Sequence, residues 1–212
     1  EVDGEGKGYG PYILAEKVAP YFGTDGVEVG NGGTSKVNKE VLERMNEAKE
    51  LIQEAGNEER VGDIVKCLRA VLKIPAIQGC LRYAYKASTV AADELAKYKA
   101  EGWAICGAAL PLLDEVDMAA ARSVRDEMTM TKDSKPDWSI VRDAFSKENL
   151  NAMGLTCADI GHLQGDDYAD AEHVQCVGDD LASIRRNEYA DVLMCHAHEL
   201  ESSASGSRAA MG

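Results

Sequence analysis

The stretch TSKVNKEVLERMNEAKELIQEAGN, residues 34–57, decides the fold class. Val41, Met45, Ala48, Ile52 and Ala55 recur in steps of four and three. That spacing puts them on one face of an α-helix, because 3.6 residues make a turn. Thr34 or Ser35 is placed to cap the start, and Gly56 to end it.

The same pattern continues downstream. Asn57 can cap a second helix whose stripe is Val61, Ile64, Val65, Leu68 and Leu72, with Pro75 as its stop. A third runs from about Ala76 to Ala100, with Leu81, Ala84, Tyr85, Ser88, Ala92, Leu95 and Tyr98 as its seam, and Gly102 as its break. A fourth runs from Trp103 to about Met130, kinked or restarted at Pro111. Its inner face is Leu113, Val116, Ala120, Val124 and Met128. Four long helices with short loops favour antiparallel neighbours. The fold expected is all-α: an up-and-down four-helix bundle with an extended N-terminal arm and additional short C-terminal helices.

The arm is 1–34. Its glycines (Gly4, Gly6, Gly8, Gly10, Gly23, Gly26, Gly30, Gly32, Gly33) are scattered rather than periodic, and only 13–18 reads as a helical turn. Tyr9, Pro11, Tyr12, Pro20, Tyr21 and Phe22 are its candidate partner-binding residues, since aromatic rings and prolines anchor an extended segment at low entropic cost. The bundle is 35–131. Residues 132–212 form a C-terminal helical extension with a fraying tail. There Pro136 suits a first helical position, Thr156 with Asp159 makes a capping-box start, and Gly161, Gly165 and Gly178 punctuate turns. A last helix is expected over 179–200.

The 212 residues carry a net charge of −14. That opposes binding to nucleic-acid phosphates or anionic lipid surfaces, and leaves protein partners with basic faces. No apolar run reaches the roughly 20 residues a membrane span requires. The chain begins at Glu1 without a leader, as after a cleavage or cropping. Six cysteines occur without a C-x-x-C pair, so zinc-finger, thioredoxin and c-type haem readings lose their basis. Buried free thiols, and one or two disulfides in an oxidising compartment, stand as alternatives that spacing does not separate.

Catalytic and cofactor motifs are missing. There is no G-x-S-x-G, no phosphate-cradling loop and no dinucleotide-binding turn. The acidic run 165–170 lacks the calcium-loop spacing and reads as a solvated helix start. Met153-Gly154-Leu155-Thr156, Asp159-Ile160 and Leu163-Gln164-Gly165 resemble one local stretch of plant-type haem peroxidases. Asp167 stands where that family's iron-holding histidine belongs, so no cofactor is expected and the segment reads as capping chemistry. His196 and His198, two apart, do not share a helix face, whereas Cys195 pairs in spacing with His198 and Glu199. A metal- or cofactor-binding helical protein using His173, Cys195, His196 and His198 is therefore the alternative reading.

Gly10-Pro11-Tyr12 and Ala19-Pro20-Tyr21 ahead of a four-helix body resemble, in arrangement, the PsbQ-like extrinsic lumenal subunits of photosystems, including the red-lineage algal form. The likeness spans residues 9–131. It implies a non-catalytic accessory subunit of a larger complex, docked on a photosystem's lumenal face in the thylakoid lumen. The acidic charge and the helices after 132 depart from that family's pattern.

Overall fold

A computed structural model describes residues 10–26 and 34–169. They form helices α1 (Pro11–Phe22), α2 (Lys36–Leu51), α3 (Glu58–Val71), α4 (Ile74–Thr89), α5 (Ala92–Asp114), α6 (Met118–Met128), α7 (Trp138–Ala144), α8 (Lys147–Ala152) and α9 (Cys157–Ile160). Among the described residues there is no strand, only an isolated antiparallel bridge between Asp25 and Ser35. The all-α expectation holds. Tyr9, Gly178, the expected helix over 179–200, and His173, Cys195, His196 and His198 lie outside the described residues.

The first departure is the arm. Residues 11–22 are a helix, not an extended segment. Leu14, Ala15, Val18, Ala19 and Phe22 recur at helical spacing and are all buried. Pro11 sits in the first turn, where its missing N–H costs nothing. Gly23, in the left-handed region at φ 64°, closes the helix, and Thr24 N–H then reaches the Ala19 carbonyl at 3.1 Å. The glycine and proline content obscured a short amphipathic helix.

The centre of the molecule is α4, which packs against α5, α1, α7 and α9. Pro75 does not stop a helix but stands in the first turn of α4. Ten of its sixteen residues are buried. The disulfide Cys80–Cys106 ties α4 to α5, with the two Cα atoms 4.5 Å apart. On either side of it a glycine lets a neighbouring side chain lie against the helix backbone. A Cβ on Gly79 would lie 2.6 Å from Ile105 Cγ2, and one on Gly102 would lie 2.5 Å from Met128 Cε on α6. Gly102 therefore packs inside α5 instead of breaking it. The break comes at Val90, where the Ser88 and Thr89 hydroxyls both donate to the Tyr85 carbonyl. Asp117 caps α6 by accepting from Ala119 and Ala120 N–H at 3.0 Å. Asp137, rather than Pro136, starts α7 by accepting from Ser139 N–H.

The core is not confined to 35–131. Phe22 from α1 joins it, as do Val141, Ala144 and Phe145 from the α7 region and Leu150, Leu155, Ile160, Leu163 and Tyr168 beyond. Helix α3 packs chiefly on α2, whereas α1 packs on α4. The expected capping box is present: Asp159 N–H donates to Thr156 Oγ1, and Thr156 N–H donates back to the Asp159 carboxylate at 2.7 Å. Burial holds the Asp159 carboxyl above the usual range, with nearby Glu40 adding to the rise against the Thr156 hydrogen bonds.

The segment after α9 turns back along α1. His162 N–H donates to Phe22 O, and Gln164 N–H to Tyr21 O at 2.8 Å. Gly161, at φ 72°, permits the approach, since a Cβ there would stand 2.1 Å from Phe22 O. The buried Gln78 of α4 locks both strands of this contact: its Nε2 donates to Thr24 Oγ1 at 3.0 Å and to Ile160 O at 2.8 Å.

Candidate docking face and aromatic pocket

The six residues expected to bind a partner separate in space, with Tyr9 beyond the described part. Phe22 is 1% exposed in the protein's own core, so it is withdrawn as a surface anchor. Pro11, Tyr12 and Pro20 are exposed, and Tyr21 is half-buried. Tyr12 borders the start of α2, where its carbonyl accepts from Asn38 Nδ2 at 2.9 Å. Helical rather than extended backbone accounts for this sorting: one face of α1 is spent on α4.

Among the described residues, more of the exposed large apolar side chains lie elsewhere. Leu42 and Met45 on α2, Ile52 at its C-cap, Val65 on α3 and Leu72 at its C-cap are all exposed. These make up half of the large apolar side chains exposed among the described residues. They form two helical stripes on a hairpin, 42–45–52 and 65–72, because α2 and α3 pack together across a short loop. Of the α2 stripe expected to face the core, Val41 packs against it, yet Met45 is 56% and Ile52 69% exposed. The inward face of α2 is instead Val37, Asn38, Glu40 and Arg44. Polar contacts hold it there. Asn38 Nδ2 donates to the Glu16 carboxylate of α1, and Arg44 Nε donates to Glu40 at 2.8 Å. Scattered apolar residues on a surface are ordinary, whereas a concentration of them marks a site of association.

A second feature gathers around Tyr21. The Arg82 guanidinium lies over its ring at 4.0 Å and 5.0 Å from that of Tyr83. Tyr21 meets Tyr168 edge-on at 5.7 Å, Tyr168 meets Tyr85 at 5.5 Å, and Tyr85 meets Trp138 edge-on at 5.4 Å. Lys86 Nζ is 4.9 Å from the Tyr168 ring and 2.6 Å from the Asp167 carboxylate. That ion pair holds the Asp167 carboxyl low, and Arg82 adds to the effect without pairing with it. An open concavity of about 510 Å³ lies here, lined by Pro20, Tyr21, Gln164, Gly165, Asp167 and Tyr168. Burial pushes the Tyr168 hydroxyl up to about 12, with Arg82 pulling the other way, so it stays protonated at neutral pH.

Periodicity found the stripes but not their direction. No sequence signal marked the aromatic chain, whose members come from positions 21, 82, 83, 85, 138 and 168.

All four cysteines within the described residues are disulfide-bonded: Cys80 to Cys106, and Cys67 and Cys157 each in a bridge as well. For these four the free-thiol alternative falls. Among the described residues no group of three histidine, cysteine, aspartate or glutamate side chains is placed to hold a metal, and no helix is long and apolar enough to cross a membrane. Comparison with known proteins returns no matching family model, no matching curated protein and no matching solved structure.

Proposed function

We propose that this chain is a non-catalytic accessory subunit that docks onto a larger protein assembly. The observation that carries this reading is the pair of outward apolar stripes on the α2–α3 hairpin. Exposed Leu42 and Met45 on α2, beside sealed Asn38, Glu40 and Arg44, are costly for a lone protein and reasonable for a subunit. Tyr12 beside the start of α2 extends the surface toward α1. The disulfides fit an oxidising compartment, such as the thylakoid lumen that the PsbQ-like resemblance implies. A photosystem is accordingly the first partner to test, and an up-and-down four-helix bundle over 35–131, where α2–α6 number five helices, is the finer form of the fold that this resemblance carries.

Docking through apolar side chains resists salt, whereas docking through charge alone is screened at about 1 M ionic strength. The test is sedimentation of native membranes before and after a high-salt wash. The expected result is co-sedimentation that survives the wash and is abolished by Met45→Gln, Ile52→Gln and Leu72→Gln together. A chain that never co-sediments with a membrane complex, or one released fully by salt, overturns the reading.

A further inference from the structure

We propose that two copies of this chain pair across a two-fold axis through the outer face of α5, the Trp103 indole of each entering the α5–α6 groove of the other. This surface is not the hairpin: α5 packs chiefly on α4 and α6. The pairing goes beyond the docking reading and does not rest on it.

Charge comes first. The chain carries −14, so two copies repel over most of their surfaces. From Gly102 to Leu113, however, α5 holds no charged residue. Its solvent side there, with Ala100 just before, consists of Ala100, Trp103, Ala104, Gly107, Ala108 and Pro111, all exposed. Trp103 keeps 37% of its surface in solvent. An uncharged face with a tryptophan on it is where a second acidic chain approaches at least cost, and tryptophan is the side chain most enriched as an interface anchor.

Shape comes next. Gly79 and Gly102 make room for Ile105 and Met128, but a Cβ on Gly107 would meet nothing within 4 Å. A glycine inside a helix is unfavourable, and no contact among the described residues accounts for this one. Gly107 lines a concavity of about 470 Å³ between α5 and α6, with Leu110, Pro111 and Asp114 on its own helix and Arg122 and Arg125 on α6. The Arg122 guanidinium rests on Met118 Sδ at 3.0 Å and is in no ion pair with a described carboxylate. A guanidinium beside an apolar hollow suits the face of an indole.

Symmetry selects the occupant. In a two-fold pair, whatever residue i meets as j, j meets as i. The nearest exposed charges flanking the uncharged face are Lys97 before it and Asp114 after it, opposite in sign and neither ion-paired among the described residues. Within one copy they stand about 25 Å apart along the helix, at 1.5 Å per residue, too far to pair. Two α5 helices laid antiparallel about a centre between Ile105 and Cys106 bring Lys97 opposite the partner's Asp114. The same register sets Ala104 against the partner's Gly107, where small side chains let the helices come close. It also sets Trp103 against the partner's Ala108, beside the groove. One register thus matches charge, anchor and hollow at once, which favours a second copy over an unrelated protein.

The test is sedimentation equilibrium of the full chain at up to about 100 μM, a range in which an interface of ordinary size is populated. A reversible dimer is expected. Trp103→Ala, with an unchanged far-ultraviolet circular dichroism spectrum, is expected to weaken it by about a hundredfold, since two anchors are lost. Lys97→Glu and Asp114→Lys are each expected to weaken it by about tenfold, and the double variant to restore it. Only pairing between copies provides that rescue. A monomer throughout the range, a dimer indifferent to Trp103→Ala, or a double variant no tighter than the single ones overturns the proposal. A dimer abolished by Met45→Gln, Ile52→Gln and Leu72→Gln together but not by Trp103→Ala overturns it in favour of self-association through the hairpin.

Discussion

Helices α2 and α4 each have sixteen residues, yet four are buried in α2 and ten in α4. Helix α4 is held by a disulfide, by two glycine contacts and by neighbours from both ends of the chain. Helix α2 leans on α3 and on the polar contacts of Asn38 and Glu40, and keeps Leu42 and Met45 outside. Stability and availability are thus separated. The rigid part is spent on itself, while the hairpin retains apolar surface for something else.

Removing the tie at α4 should give the largest effect. The Cys80–Cys106 bridge closes a loop with a sequence separation of 26, worth about 3.5 kcal/mol by chain entropy. Cys80→Ala with Cys106→Ala should lower denaturant stability by that order, and a loss under about 1 kcal/mol would show that α4 owes its rigidity to packing alone. Gly161→Ala comes next, at about 2–4 kcal/mol, because the left-handed backbone is strained for alanine and the added carbon meets the Phe22 carbonyl. Thermal unfolding measures it. A neutral result would mean that the return of 161–164 along α1 is not part of the rigid half.

Alkaline pH probes the same half through Tyr168. Its native pKa of about 12 lies above the unfolded value of 10.0, so its contribution is complete below pH 10 and is lost as the pH climbs toward 12. The loss should approach about 2 kcal/mol and should vanish in Tyr168→Phe, compared by urea unfolding at pH 9 and pH 11.5. The smallest effect belongs to the hairpin. Met45→Gln, Ile52→Gln and Leu72→Gln should each change the stability of the isolated chain by no more than about 0.5 kcal/mol. A drop of 2 kcal/mol in any one of them would place that side chain in the core and erase the contrast between the helices.

The sequence displayed these two regions unequally. At the end of α5 and in α6 the apolar steps Leu113, Val124 and Met128 are buried as their spacing says, and the Thr156–Asp159 capping box forms as written. In α2 the steps 41, 45 and 48 mark a helix correctly, though it stops at Leu51 with Ile52 as its C-cap and Ala55 beyond it rather than at Gly56, and a stripe carries no information about what covers it. There Asn38 wins the inward side through a hydrogen bond that depends on Glu16 arriving from another helix, and Arg44 and Glu40 pair with each other within α2. In α1 the glycines and prolines outweighed the spacing of Leu14, Ala15, Val18, Ala19 and Phe22. Helix–helix proximity also stayed hidden. Gly102 reads as a breaker until Met128 is seen against it, and the pairing of Cys80 with Cys106 is one of many the six cysteines permit.

The side-chain amide of Gln78 has a consequence for how the molecule comes together. One nitrogen serves an oxygen 54 residues earlier and another 82 residues later. If either visitor is missing, a polar group sealed in the interior has a vacancy, at a penalty of roughly 1–3 kcal/mol. The middle of the chain therefore acts as a coincidence detector. It rewards the simultaneous arrival of the early and late segments and penalises a half-assembled intermediate, which makes this fold intolerant of trimming from either side.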